Sequence, residues 1–254
     1  MSSGQTDTTL LKGLALLETL AAGERPRGVS ELAQELGIVK SNVHRLLQTL
    51  VRCGYVRKSD DPPRYHCTLR MFEFGALLAD RIDIRAVAAF HLRRLAESTR
   101  ESVFLSVLDG TDVVYLDKVD SPQSVRAYAR IGGRTPAYCS AAGKVLLACQ
   151  PDDTLAALPP LQAYTARTIT DLDELRQALR QVRARGYAIN DGEWREGVCG
   201  LAAPVSGVGG QPLGALSISG PTQRLGPRVL RNLAPLVMEA ARAVSAEMGI
   251  RAAQ

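Results

Sequence analysis

VSELAQELGIVKSNVHRLLQTL, residues 29–50, reads as two short helices joined by a tight turn. Val29, Leu32, Ala33 and Leu36 recur at the spacing that lines up one face of a helix. Ser30 is placed to cap that helix, with Glu31 at the positive end of its dipole. Gly37 stops it where a left-handed residue is wanted. The second helix repeats the spacing with Val43, Leu46, Leu47 and Leu50, and its other face carries Lys40, Ser41, Asn42, His44, Arg45, Gln48 and Arg52. Two helices, a glycine turn and a second helix rich in basic and amide groups describe a helix-turn-helix. A helical hairpin with a solvated polar face would share these features, because surface helices are polar on their outer side.

The surroundings favour an anionic partner. A chain of 254 residues is long enough for two domains, and its 46% hydrophobic content supplies ordinary cores. The net charge of +5 is mild but local. Between Arg25 and Arg70 stand nine cations (Arg25, Arg27, Lys40, Arg45, Arg52, Arg57, Lys58, Arg64, Arg70) against four anions (Glu31, Glu35, Asp60, Asp61). That excess equals the whole chain's, and its concentration suits a phosphate-facing surface. Cys53, Cys67, Cys139, Cys149 and Cys199 are odd in number, dispersed and without a CxxC pair, as expected of free thiols in a reducing compartment. His44, His66 and His91 have no metal-ligand spacing, and no metal or cofactor is expected. The start, MSSGQTDTT, lacks the apolar core of a signal peptide, and no apolar run approaches membrane-spanning length. A cytoplasmic protein without a membrane partner is the expectation.

Taken in order, residues 1–8 form a tail. A first helix is predicted over about Thr9 to Ala22, with Leu10, Leu14, Leu17 and Ala21 on one stripe and Leu11 and Leu20 widening it. The surplus apolar surface suits a subunit contact as well as a core. After Gly54, Tyr55–Arg57 and Tyr65–Cys67 read as a small hairpin, a wing, with a polar turn between them. Arg57, Lys58 and Arg64 are placed to touch phosphate, while Asp60 and Asp61 at the tip oppose deep insertion. Met71–Asp83 reads as a connecting helix, which divides the chain into domains over 9–70 and 84–250. A second helix runs from Ile84 to Thr99. From Glu101 the period changes to two. Strands are predicted near Val103–Val107, after the Asp109-Gly110 turn at Val113–Val119, and at Val125–Ile131. A glycine-rich loop, Gly132–Pro136, follows. Ser140 opens a short helix to about Cys149. Thr170 caps Asp171–Arg185 through a T-x-x-D box, and Gly186 ends it. Strands near Gly200–Val205 and Leu213–Ser219 and a last helix, about Pro227–Met248, complete an α+β domain with a mostly antiparallel sheet.

The blocks GVSELAQELGIVKSNVHRLLQTLVRCGYV, RYHCTLRMFEFG, RIGGRTPAYCSAAGKVLLA, RARGYAINDGEWREGVCGLAAPV and GALSISGP occur in one order across residues 9 to 245. In that order they resemble the IclR family of bacterial transcriptional regulators. The resemblance implies an N-terminal winged helix-turn-helix, a linker helix and a GAF-like C-terminal domain that binds a small effector. It also implies dimers, often paired into tetramers. Two departures stand out. Val39 stands where the family often has proline, and His66-Cys67-Thr68 replaces a basic-apolar-glycine run after the wing.

Two sites follow. For DNA, Arg45 is the expected guanine reader, since its fork matches O6 and N7, and Asn42 can pair with adenine. Lys40 and Ser41 suit phosphate or base-edge contact. His44 suits phosphate or packing on the first helix. Arg52, Arg57 and Lys58 suit the backbone. For the effector, the open amides of Ala141, Ala142 and Gly143 behind Ser140 suit a carboxylate. Ser217 and Ser219, two apart, share one face of a strand. The resemblance sets these against Asn190, Asp191 and Glu193, with Cys199 and Gly200 on an adjoining strand. Asp191 and Glu193 serve there either a ligand hydroxyl or the loop's own backbone. Tyr138, Cys139, Leu105 and Tyr128 are expected to shape an apolar side, and the ligand to be a small polar carboxylic acid. The only tryptophan, Trp194, lies in the same loop.

Two other classes are weighed against this regulator. Cys139 at a helix start has the position of a nucleophile, because a helix N-terminus lowers a thiol pKa. Yet no histidine is near in sequence, G-x-S-x-G is absent, and Tyr138 and Val145 break the phosphate-loop pattern around Gly143-Lys144. An enzyme is therefore not expected. The free cysteines also suit a redox-sensing regulator. The expected function is a ligand-responsive regulator of a palindromic operator, with repression or activation undetermined.

Overall fold

The first helix, α1 (Thr8–Ala22), begins at Asp7, whose carboxylate accepts the amides of Thr9 and Leu10 at 2.8 and 3.1 Å. The computed structural model describes residues 6–60, 62–79, 83–156 and 158–252, and the chain divides into two units, Met1–Arg81 and Ile82–Gln254. α1 turns Leu16, Leu17 and Leu20 inward and leaves Leu10, Leu11 and Leu14 at 61, 52 and 48% exposure. The buried stripe thus differs from the one predicted. Leucine fills so many positions here that spacing alone does not choose among faces.

α2 (Val29–Leu36) and α3 (Lys40–Arg52) form the expected pair. Gly28, not Ser30, occupies the N-cap, and it provides no side-chain bond. Gly37 takes the left-handed conformation at φ 63°, and the amide of Ile38 returns to the Ala33 carbonyl at 3.0 Å. Val39 holds φ −60°, close to the angle a proline ring imposes, so the chain enters α3 as proline would direct it. Leu32, Val43 and Leu47 are fully buried together with Leu16.

β1 (Val56–Asp60) and β2 (Pro63–Cys67) are antiparallel and longer than the sequence suggested; Asp61 lies outside the described residues. Val56 and Tyr65 sink into the helical core. Arg27 bridges Tyr65 through two backbone bonds of 2.8 and 2.9 Å, a single-residue pairing that ties the wing to the segment before α2. Thr68 closes onto Gly54 with a 2.6 Å hydroxyl bond. α4 runs over Arg70–Ala79, one residue earlier than predicted, and the rest of the expected connection, residues 80–82, lies outside the described residues.

In the second unit come α5 (Asp83–Thr99), β3 (Ser102–Asp109), β4 (Asp112–Val119), β5 (Arg134–Pro136), α6 (Ala141–Ala148), α7 (Asp152–Ala156) and α8 (Leu172–Arg185). After them come β6 (Ala188–Asp191), β7 (Val198–Ser206), β8 (Pro212–Pro221) and α9 (Pro227–Ala252). The six strands form one sheet in the order β5-β4-β3-β8-β7-β6, antiparallel at every pairing. Alternation sorts its faces. Val103, Leu105, Leu201, Leu216 and Ile218 pack against α5 and α9, while Val113, Ala188, Ala202 and Ala215 pack against α6 and α8. The result is a sheet between two helical layers, a GAF-like α+β arrangement.

Four expectations are corrected here. Val125–Ile131 is not a strand; of that stretch only Ala127 is buried, and Val125, Tyr128 and Ile131 stand 52–67% exposed. The strand β5 lies instead in the stretch expected as a glycine-rich loop. Asp171, not Thr170, caps α8, accepting the amide of Glu174 at 2.8 Å. Asn190 and Asp191, expected in a loop, end strand β6.

Candidate functional site

The outer face of α3 is open. Lys40, Ser41, His44 and Arg45 are exposed and Asn42 is half-buried. The Arg45 guanidinium donates to Asn42 Oδ1 at 3.2 Å, so the two side chains expected to read bases lie side by side. His44 lies 3.5 Å from Gln48 on the same face rather than against α1. Arg52, Arg57 and Lys58 are exposed and make no ion pair among the described residues. Other cations of the basic window are committed internally. Glu31 collects Arg25 at 3.6 Å, Arg27 at 3.1 Å and Arg64 at 2.8 Å, and Arg27 also pairs with Glu35. Hydrogen bonding from Arg64, above all, holds the Glu31 carboxyl below its ordinary range. Arg64, expected on phosphate, thus braces the wing against α2.

In the second unit a cavity of about 510 Å³ opens between the start of α6 and the sheet. Ser140 caps α6, its hydroxyl accepting the Gly143 amide at 3.0 Å. The amides of Ala141 and Ala142, which face no preceding turn, are left for another acceptor, and both residues line the cavity. Phe104 and Tyr115 form part of its floor with ring centroids 5.3 Å apart. Gly200, Ser217 and Ser219 complete the floor, and Asn190 and Trp194 stand at its side. Asn190 Oδ1 accepts the Glu193 amide at 2.8 Å, which leaves its NH2 group to donate. The two serines differ. Ser219 donates to the Cys199 carbonyl at 2.9 Å, whereas Ser217, 6% exposed, has no side-chain partner among the described residues.

Of the effector residues read from sequence, Ser140, Ala141, Ala142, Asn190, Gly200, Ser217 and Ser219 come together around this space, as does Tyr128. Others lie behind it. Tyr138 exchanges two bonds with the Gln162 backbone, and burial pushes its phenol up to about 12. Gly143 backs onto Ala137 so closely that a Cβ would sit 2.1 Å from its carbonyl oxygen. Asp191 pairs with Arg167 and accepts from the Cys199 thiol at 3.2 Å. Glu193 is buried against Lys144, with a 2.7 Å contact, so it serves the fold of the loop and not the cavity. Leu105 faces the opposite side of the sheet.

Sequence reasoning missed Phe104, Tyr115, Arg126, Arg130 and Arg195 in the wall. Phe104 had a signal, since it alternates with Val103 and Leu105. The arginines had none.

Cys139 is fully buried, and burial pushes its thiol up to about 12. A nucleophile or redox sensor needs an accessible, acidic thiol, so this environment opposes both alternatives at Cys139. Among the described residues no group of three or more His, Cys, Asp or Glu is placed to hold a metal, and no helix is long and apolar enough to cross a membrane.

Comparison with known proteins gives concordant matches for both units. The family models described as the IclR helix-turn-helix domain and the bacterial transcriptional regulator IclR C-terminal domain match residues 9–60 and 76–246. The HTH-type transcriptional regulator KdgR of Escherichia coli is 38% identical over 245 residues, covering 95% of this chain and 93% of that protein. A transcriptional regulator from Rhodococcus sp. RHA1 superposes with a TM-score of 0.81 at 33% identity, covering 96% of this chain and 98% of the other. An IclR homologue from Microbacterium hydrocarbonoxydans, solved with 4-hydroxybenzoate, does so at 0.78 and 26% identity, covering 95% and 99%.

Proposed function

Because the chain belongs to the IclR family of bacterial transcriptional regulators, we propose that α3 reads a palindromic operator and that the cavity at α6 receives a small carboxylic acid which changes operator affinity. The DNA-binding part is 9–70, the linker 71–83 and the effector domain 84–250. Arg45 and Asn42 read base edges, Lys40, Ser41 and His44 contact base edges or phosphate, and Arg52, Arg57 and Lys58 hold the backbone. The exposed leucines of α1 suit burial in a homodimer, which pairs two recognition helices on two half-sites; a dimer of dimers extends the same contact logic. The protein acts in the cytoplasm, without cofactor, membrane partner or catalytic role.

One observation carries the effector reading. The buried start of α6 offers two amides to a cavity that also holds the unpaired Ser217 hydroxyl. A carboxylate satisfies all three donors and the helix dipole together. The 4-hydroxybenzoate of the Microbacterium relative is an acid of this class. Occupancy changes operator affinity only to the extent that the acid binds two states of the protein unequally.

Trp194 lines the cavity with its ring 4.3 Å from Tyr164 at a 70° tilt, so its emission reports occupancy. Titration with small carboxylic acids is expected to shift that emission and to change operator binding in the same concentration range, with Ser217→Val losing both responses. An acid that alters operator binding while Ser217→Val responds unchanged would place the effector elsewhere.

A further inference from the structure

The cavity wall carries more positive charge than one carboxylate needs. Arg126, Arg130, Arg134 and Arg195 line it, and no aspartate or glutamate does. Arg134 is neutralised by Asp109 at 2.8 Å and Asp112 at 3.1 Å. Arg126, Arg130 and Arg195 make no ion pair among the described residues. They come from two separate segments and converge on one space. Burial raises the Tyr115 phenol, while the Thr135 hydrogen bond and the charge of Arg195 pull against it, so Arg195 lies within electrostatic reach of the floor.

The donors also divide by depth. Ser140, Ala141, Ala142, Asn190 and Ser217 are all buried, whereas the three unpaired arginines are exposed. The cavity therefore has an enclosed polar end and a cationic mouth. One carboxylate satisfies the enclosed end and leaves three guanidinium groups repelling one another at the mouth. A second negative charge relieves that repulsion, and guanidinium matches a carboxylate or phosphate with paired bonds. A volume of about 510 Å³ has room for an acid of several carbons joining the two ends.

We infer that the effector is a small organic dianion, with one carboxylate at the buried start of α6 and a second acidic group met at the mouth by Arg126, Arg130 and Arg195. This rests on the effector reading above and extends it from a class of acids to a charge pattern. The second group is a carboxylate, which gives a dianion, or a phosphate, which presents the same kind of oxygens to arginine and adds about 1.5 to 2 negative charges in place of one.

The test uses the full chain and calorimetry. Straight-chain monocarboxylates and dicarboxylates of matched length, and hydroxy acids with and without a terminal phosphate, are titrated into the wild type and an Arg126→Gln/Arg130→Gln/Arg195→Gln variant. These side chains are exposed, so the variant is expected to fold, with an unchanged circular dichroism spectrum as the check. At least one dianion is expected to bind about tenfold tighter than its matched monoanion, the worth of one charge-assisted bond. That preference is expected to shrink with added salt and to vanish in the variant, which then binds a dianion and its matched monoanion alike. Which series shows it distinguishes carboxylate from phosphate. Equal binding of every matched pair, or a preference that survives in the variant, overturns the dianion. Monoanion binding that is abolished by Ser217→Val without any dianion preference overturns it too, yet keeps the effector reading. No binding of any acid overturns both.

Discussion

Two helix starts invite comparison, that of α3 and that of α6. Each has free amides and the positive end of a helix dipole, features that suit an anion. α3 begins at Val39 with no side-chain cap and with Lys40 and Ser41 in solvent. α6 begins at Ser140, capped and buried, with its whole length enclosed. On the proposed reading the difference follows from the partner. A duplex is large and repetitive, so flexible exposed cations bind it through released counterions and a few fork-shaped contacts supply the reading. A small acid has few atoms, so each must meet a fixed donor in a place water has left. One start is built for adaptability, the other for position.

The largest effect that separates them lies beneath α6. Lys144 and Glu193 are buried as a pair, so Lys144→Met leaves an uncompensated carboxylate and should cost about 3–5 kcal/mol in urea denaturation. Replacing both by methionine should recover most of that loss; an equal loss in the double variant would show that shape, not charge, holds the loop. Among the described residues no comparable pair underlies the outer face of α3, where Arg45→Ala should leave stability unchanged. That variant should lose about 1–3 kcal/mol of discrimination between operator and unrelated duplex, read by electrophoretic mobility shift. Unaltered discrimination would remove Arg45 as a reader. Ser140→Ala should lower stability by about 1 kcal/mol, and Ser140→Gly by a few tenths. Equal losses would mean that the Gly143 amide bond contributes little.

A last effect is one of pH. Cys139 is held at about 12 by burial against an ordinary 9.0. The folded chain keeps that proton while the unfolded chain releases it, so stability falls as pH rises above 9.0 toward 12. Comparing urea midpoints near neutrality and at about pH 10, Cys139→Ala should lose less than the wild type. An identical loss would assign the slope to other groups, Tyr138 first among them.

The two starts were also unequally legible. For α3, helical spacing, Gly37 and the run of polar residues are all local, and local signals survive in a single sequence. The failures there are fine ones. Ser30 has the chemistry of a cap, but the backbone turns at Gly28, and chemistry alone does not fix where a chain turns. For α6, Ser140 was readable as a cap for the same local reason. What surrounds it was not. Lys144 and Glu193 are 49 residues apart, and nothing in either neighbourhood announces the other. Asp191 and Glu193 read from sequence either as ligand contacts or as supports of their own loop, and only the partners Arg167 and Lys144 decide between the two. Val125–Ile131 alternates as a strand does, yet Val125, Tyr128 and Ile131 face solvent and only Ala127 is buried, so Arg126 and Arg130 fell on a segment whose period misled.

One irregularity in the sheet has a practical corollary. β3 and β4 slip register between Leu105 and Ser106, so that Ser106 faces Tyr115 but Leu105 faces Asp117. β4 therefore counts one residue more than its neighbour. Tyr115 lines the cavity, and Lys118, three positions on, lies 4.6 Å over the ring of Tyr128, another lining residue. Anyone diversifying this strand to change ligand preference by the usual every-second-residue scheme would drift off target halfway along. Val113 and Tyr115 keep the rhythm; after them the productive position is Lys118, and a codon spent on Asp117 would be wasted.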